Sequence, residues 1–164
     1  MDTRITELPA LRLAGHTTRA PLRYEGVNPH ILEFVRSLPP EAHGRLKALG
    51  DAEPSGILQI TGDAEPDAAE GTELTYMHGV AVSATTPVPE GLDTLTVPAG
   101  PWAVFTSSGP HPEALQSMWA ATATEWFPSN PWRLRPGPSI VAVRDHAADF
   151  TIATCDLWMP IEPE

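Results

Sequence analysis

The chain has little cysteine and little positive charge. Cys155 is the single cysteine in 164 residues, which excludes an intrachain disulfide and is typical of a cytoplasmic protein. Lysine and arginine number 10 against 21 aspartates and glutamates, and the formal net charge is −11. Such a surface repels phosphates, so we expect no direct contact with nucleic acid. The sequence also has no apolar run long enough for a membrane span or a signal peptide, and we expect neither.

Motifs of the common enzyme and cofactor classes are missing as well. The sequence contains no HExxH, no GxSxG, no phosphate-binding loop and no GxGxxG. Its six histidines show no spacing typical of metal ligands. We therefore predict that the protein binds no metal and no cofactor.

Proline and glycine, by contrast, are abundant. Nineteen prolines and twelve glycines predict many short elements joined by turns rather than a long helical bundle. The length fits a single domain covering residues 1–164.

The most informative segment runs from Val97 to Trp126. The apolar and β-branched residues 102–106 predict a strand, residues 107–110 predict a break, and Pro112 predicts the start of a helix that Pro128 ends. Side chains at spacings of three and four share one stripe of this helix, namely Leu115, Met118, Trp119, Thr122 and Trp126. Two indoles on one stripe indicate a wall for a flat ligand.

The remaining elements repeat a strand, helix, strand, strand order in about residues 1–86 and 87–164. We predict strands at 5–15, 57–61, 74–84, 92–97, 139–144 and 151–161, helices at 29–38 and 41–49, and polar connections at 17–27 (with Tyr24 and Glu25) and 62–71. The predicted fold is α+β. Duplicated βαββ units form an antiparallel sheet, with two main helices on one face and a groove between them.

Five segments spread from about Ile5 to Ile161 share the pattern of one known family. They are ELPALRLAGH, YMHGVAV, VPEGLDTLTVPAGPWAVFTSSGPHPEALQSMWAATATEWFPSN, GPSIVAV and CDLWMPI. Together they resemble the GyrI-like, or AraC effector-binding, small-molecule-binding domain. The resemblance implies a duplicated βαββ fold whose groove binds hydrophobic, often cationic, drug-like molecules. Many members are fused to DNA-binding helix-turn-helix domains. Others stand alone, including an inhibitor of DNA gyrase and hydrolases of cyclopropane-bearing alkylating antibiotics.

The chain departs from the family pattern at one important place. The family often has Pro-x-apolar-Glu-x-Tyr in its penultimate strand, and this pattern falls on residues 138–143 here. Val141 occupies the Glu position and Val143 occupies the Tyr position. The departure weakens both the cation-binding and the hydrolase expectation: either the pocket is more apolar or another carboxylate substitutes.

Several residues are candidates for the site. Trp119 matches a recurrent aromatic of the family helix. It is either a surface on which a planar ligand stacks or a core residue that packs the helix on the sheet. Glu125 is either a replacement counter-charge or a solvated helix residue, and Glu73 is a further carboxylate candidate. As catalytic groups, only Glu125 and His78 are candidates. The predicted ligand-binding residues are Trp119, Trp102, Tyr76, Glu125, Phe105 and Asp156.

The leading hypothesis is a cytoplasmic protein that holds a hydrophobic, planar or cationic small molecule in the groove, for sensing or sequestration. Two alternatives stay open: a hydrolase of cyclopropane-bearing electrophilic natural products, and a standalone inhibitor of DNA gyrase. A separately encoded regulator, DNA gyrase and a second copy of the chain are the candidate protein partners.

Overall fold

The computed structural model describes residues 2–23, 26–62 and 69–164. The strands in these ranges are β1 (Asp2–Leu8), β2 (Leu11–Pro21), β3 (Leu58–Gly62), β4 (Glu73–Ser83), β5 (Asp93–Val97), β6 (Gly100–Pro110), β7 (Trp132–Leu134), β8 (Ser139–His146) and β9 (Ile152–Pro163). The helices are α1 (Pro29–Ser37), α2 (Ala42–Leu49), α3 (Glu113–Ala121) and α4 (Phe127–Ser129), and a π-helical turn, Thr122–Trp126, joins α3 to α4. None of these helices is long and apolar enough to cross a lipid bilayer.

The strands form one antiparallel sheet in the order β1-β6-β9-β8-β3-β4-β2-β5, and β7 pairs with β9. This order is symmetric about its centre, because β6, β9 and β8 in one half correspond to β2, β4 and β3 in the other. Each half therefore has the strand, helix, strand, strand order that the sequence predicts, and the predicted α+β fold class is confirmed. The division near residue 86 stays a prediction.

Helices cover one face of the sheet, which we call the helix face. α1 lies against β2, α2 against β4, and α3 against β6 and β9. Leu46 of α2 packs in one cluster with Val80 and Val82, and Leu115 of α3 packs in another with Phe105. These clusters hold the two groups of helices to the two halves of the sheet.

The opposite face of the sheet carries a separate apolar core. This core includes Leu8 on the edge strand β1 and Val97 on the other edge strand, β5. Since one cluster joins both edges, the sheet is curved around it. Trp102 and Trp158 lie at its centre, with their rings edge to face and their centroids 6.4 Å apart.

Several predicted boundaries are wrong, and each error has a physical reason. The predicted strand 5–15 is two strands, β1 and β2. Residues 17–21, predicted as part of a polar connection, continue β2 because they pair with residues 73–77 of β4. Residues 107–110, predicted as a break, continue β6 because they pair with residues 152–155 of β9. Polar strand ends resemble loops in sequence, but their backbones complete long ladders here.

Other expectations lie partly outside the described residues. Tyr24, Glu25 and residues 63–68 of the predicted acidic loop are among them. The helix predicted at 41–49 is present as α2, whereas β7 and the π-helical turn were not expected from the sequence.

Candidate functional site

Two rows of side chains cross the centre of the sheet on the helix face. The first row consists of the register partners Val141, Gln59, His78 and His16 on β8, β3, β4 and β2. The second row consists of Ser139, Thr61, Tyr76 and Thr18 on the same strands. We call these eight residues the floor. Seven of the eight are polar or aromatic, Val141 is aliphatic, and none is acidic.

The middle of the floor is open although it lies at the centre of the sheet. Gln59, Thr61 and Ser139 are only half-buried. The reason is the placement of the helices, since α1 and α2 lie over β2 and β4 while α3 lies over β6 and β9. β4 and β9 are three strand spacings apart, or about 14 Å. The space above β3 and β8, between the two groups of helices, is the central groove.

Helix α1 forms one side of this groove. The Asn28 side chain caps its first turn by accepting hydrogen bonds from the backbone N–H groups of His30 and Ile31. Phe34 of α1 lies edge-on to Tyr76 of the floor, with ring centroids 6.3 Å apart. No residue of α1 is fully buried, so its apolar side chains remain accessible at the edge of the groove.

Helix α3 and the π-helical turn form the other side. Trp119 is half-buried and packs against the cluster that contains Val141. Trp126 is also half-buried and packs edge-on against Phe105, with ring centroids 5.1 Å apart. The Thr122 hydroxyl donates to the Trp119 carbonyl over 2.6 Å and supports the turn between the two indoles. Both indoles therefore pack against the core cluster and keep an accessible part.

A pair of hydrogen bonds ties the two sides together. The Gln116 amide of α3 accepts from the Gly26 N–H and donates to the Gly26 carbonyl, both over 2.9 Å. Gly26 lies two residues before Asn28, the N-cap of α1. This contact links α3 to the segment that leads into α1.

His78 is one of two buried titratable groups among the described floor residues, together with Tyr76. Its Nε2 lies 3.1 Å from the Nδ1 of His43 on α2, and the two rings meet edge to face. Burial, followed by the neighbouring His43 and His16, lowers the pKa of His78 to about 4. The imidazole is therefore neutral at pH 7 and a weak proton acceptor. Across the described ranges, no three His, Cys, Asp or Glu side chains are placed to hold a metal ion.

The structure separates the ligand-binding residues predicted from the sequence. Tyr76 is in the floor, Trp119 is on the α3 side of the central groove, and Phe105 is fully buried beneath α3. Glu125 is exposed on the π-helical turn, as is Glu73 at the start of β4. Trp102 and Asp156 lie on the opposite face.

Asp156 has its own partners on that opposite face. It accepts a hydrogen bond from the Thr106 hydroxyl over 2.7 Å, and Arg144 lies 3.6 Å away. A cavity of about 550 Å³ opens beside it, between residues 53–56 and the sheet. A second cavity, of about 520 Å³, lies between the end of β2 and the start of α1.

Sequence reasoning did not single out Gln59, Thr61 or Phe34. A signal for the first two was present, because they alternate with the apolar Leu58 and Ile60 in a predicted strand. Phe34 falls within the predicted helix 29–38, where nothing local distinguishes it. Its position over Tyr76 depends on tertiary packing.

Comparison with known proteins gives the following relationships. The model of the GyrI-like small molecule binding domain matches residues 1–162. No curated protein matches this chain.

Solved structures with the same fold share little sequence with this chain. SAV2435 bound to tetraphenylphosphonium superposes with a TM-score of 0.71 at 19% identity, covering 99% of this chain and 94% of the other. A putative bacterial transcription regulation protein from Staphylococcus aureus MU50 gives 0.66 at 18% identity, covering 99% of both chains. EcmrR in its DNA complex gives 0.67 at 14% identity, covering 99% of this chain and 58% of that one. The fold is thus shared, and the match over residues 1–162 shows that the chain belongs to the GyrI-like small-molecule-binding domain family.

Proposed function

We propose that the protein binds a hydrophobic, planar small molecule in the central groove and acts in sensing or sequestration. One observation supports this proposal above all. The centre of the sheet is left uncovered between two groups of helices, and aromatic side chains flank the opening. Phe34 and Trp119 are half-buried and provide accessible ring surface for an aromatic ligand, whereas Tyr76 is buried against Phe34. The floor provides a few polar atoms to orient the ligand.

The comparisons support the same proposal without identifying the ligand. The family is described as small-molecule-binding, and SAV2435 was solved with tetraphenylphosphonium. The single free cysteine, Cys155, fits a reducing compartment, and we propose the cytoplasm as the location.

Calorimetric titration with a panel of planar aromatic compounds tests the proposal. We expect saturable 1:1 binding for at least one compound. Replacement Trp119→Ala should weaken it about tenfold, because a stacked indole contributes on the order of 1 kcal/mol or more. Leu95→Ala is the matched control, since Leu95 is exposed on the edge strand β5 and its register partner Leu13 belongs to the core of the opposite face.

Two results would contradict the proposal: no saturable binding across the panel, or an equal loss of affinity in Leu95→Ala. Sequestration requires only stoichiometric binding. Sensing requires a conformational response as well, which hydrogen exchange of α1 with and without the compound would measure.

A further inference from the structure

Several polar atoms in the groove floor belong to uncharged side chains and have no hydrogen-bond partner within the described residues. Within the described residues, no hydrogen bond uses the Gln59 amide, the Thr61 hydroxyl or the Tyr76 hydroxyl. Burial raises the pKa of Tyr76, so its hydroxyl stays protonated. The Nδ1 of the buried His78 also has no partner there. Polar groups in a partly buried site gain most from a ligand that supplies hydrogen bonds.

The eight floor residues, in contrast, include no carboxylate. Val141 and Val143 occupy the positions where an acidic and a hydroxyl-bearing residue were expected. Glu125 and Glu73 are exposed to solvent. Asp156 projects from the opposite face and already accepts a hydrogen bond there. A cation entering the groove would give up water without meeting a counter-charge among the described floor residues.

We propose that the central groove selects uncharged aromatic ligands that carry a hydrogen-bonding group, and that it disfavours permanent organic cations. This inference rests on the proposed function and adds the ligand class. A neutral acceptor on the ligand can receive hydrogen bonds from Gln59, Thr61 or Tyr76. A quaternary cation offers these side chains neither a donor nor an acceptor.

Two probes of similar shape separate charge from size. Tetraphenylphosphonium is a permanent cation, whereas triphenylphosphine oxide is neutral and carries one strong hydrogen-bond acceptor. Both should be titrated calorimetrically at about 0.3 M salt, so that the net charge of −11 is screened beyond a few ångströms. We expect the phosphine oxide to bind about tenfold more tightly.

The outcomes distinguish this inference from the proposed function. If tetraphenylphosphonium binds as tightly as the phosphine oxide or more tightly, the proposed ligand class is wrong, but the proposal that the groove binds a small molecule stands. Binding of neither probe, nor of any member of the aromatic panel, overturns both.

Variants of Gln59 test the floor directly. Gln59→Leu removes the amide and should weaken phosphine oxide binding about three- to tenfold while leaving the phosphonium unchanged. Gln59→Glu is nearly isosteric, adds a carboxylate at a half-buried position, and should reverse the preference. Thr61→Val should act like Gln59→Leu, and Thr94→Val on the exposed part of β5 is its matched control.

Circular dichroism identifies variants that fail to fold. If Gln59→Glu does not fold, the affinities of the two probes for the wild type and for Thr61→Val still test the proposed ligand class. An unchanged preference in both folded Gln59 variants would overturn the assignment of the floor.

Discussion

Gly15 on β2 and Gly79 on β4 are register partners whose backbones approach closely. A Cβ atom built on Gly15 would lie 2.3 Å from the His78 carbonyl oxygen, and one built on Gly79 would lie 2.3 Å from the Ala14 carbonyl oxygen. Real Cβ atoms do not come so near to backbone atoms. The two glycines therefore set the spacing of the strands that carry His16 and His78.

Replacement Gly79→Ala should destabilise the protein by about 2–3 kcal/mol, because β2 and β4 must move apart to accept a methyl group. Urea unfolding followed by circular dichroism measures the change. The control is Gly44→Ala in α2, where a Cβ meets no atom within 4 Å. That replacement should stabilise the protein by about 0.5–1 kcal/mol through helix propensity. Similar effects at both positions would refute the packing argument.

The depressed pKa of His78 predicts a loss of stability in mild acid. The unfolded chain takes up a proton near pH 6.5, whereas folded His78 does so near pH 4. Between these values the unfolded state binds more protons, so the free energy of unfolding falls as the pH drops. The contribution is fully present above about pH 6.5, and its loss is on the order of 1–3 kcal/mol.

Unfolding at a series of pH values checks this window. His78→Gln should remove most of the decline between pH 6.5 and 4. His30→Gln, at an exposed position on α1, should leave the decline as it is. A wild-type decline that persists in His78→Gln would assign the pH dependence to other groups.

The sequence predicts the sheet and the helices well because their patterns are local. Alternation along residues 74–84 and the stripe from Leu115 to Trp126 both depend on neighbours within a few residues. The composition of the floor could not be predicted in this way. Whether Gln59 faces the same side as His78 depends on the register of β3 with β4, which is set by pairing between distant segments.

The assignment of Asp156 shows the same limit. Its position in a predicted strand beside Trp158 made it a candidate for the groove. The strand pairing puts it on the face where Thr106 and Arg144 lie. A shift of one residue would have placed it on the helix face.

Cys155 should be nearly unreactive in the folded protein. It is buried, and burial together with the nearby Asp156 carboxylate raises the pKa of its thiol to about 11. At pH 8 only about one thiol in a thousand is then ionised, and the thiolate is the nucleophile. Reaction with a disulfide reagent should be at least about a hundredfold slower in buffer than in denaturant.

The coloured thiolate that the reagent releases is measured by its absorbance. It reports on a single site, because the chain has no other cysteine. Cys155→Ser should therefore give no signal in either solution. A native rate close to the denatured rate would show that Cys155 is not shielded as the structure indicates.

We expect the hydrogen bonds between Gln116 and Gly26 to hold α1 in position beside the groove. Gln116→Ala leaves the N–H and carbonyl of Gly26 without their side-chain partner, and the segment from Gly26 to the start of α1 should loosen. We expect faster hydrogen exchange at Gly26 and along α1, and a stability loss of about 1–2 kcal/mol. Ser117→Ala, at an exposed neighbouring position, should change neither quantity.

Gln116→Glu refines the same test. A carboxylate can still accept from the Gly26 N–H but cannot donate to its carbonyl, so exchange at Gly26 should fall between wild type and Gln116→Ala. Because α1 forms one side of the central groove, both variants should also weaken binding of any groove ligand, with Gln116→Ala the weaker binder. Unchanged exchange in Gln116→Ala would show that the entry of α1 is held by other contacts. The groove would then keep its shape without the bridge from α3.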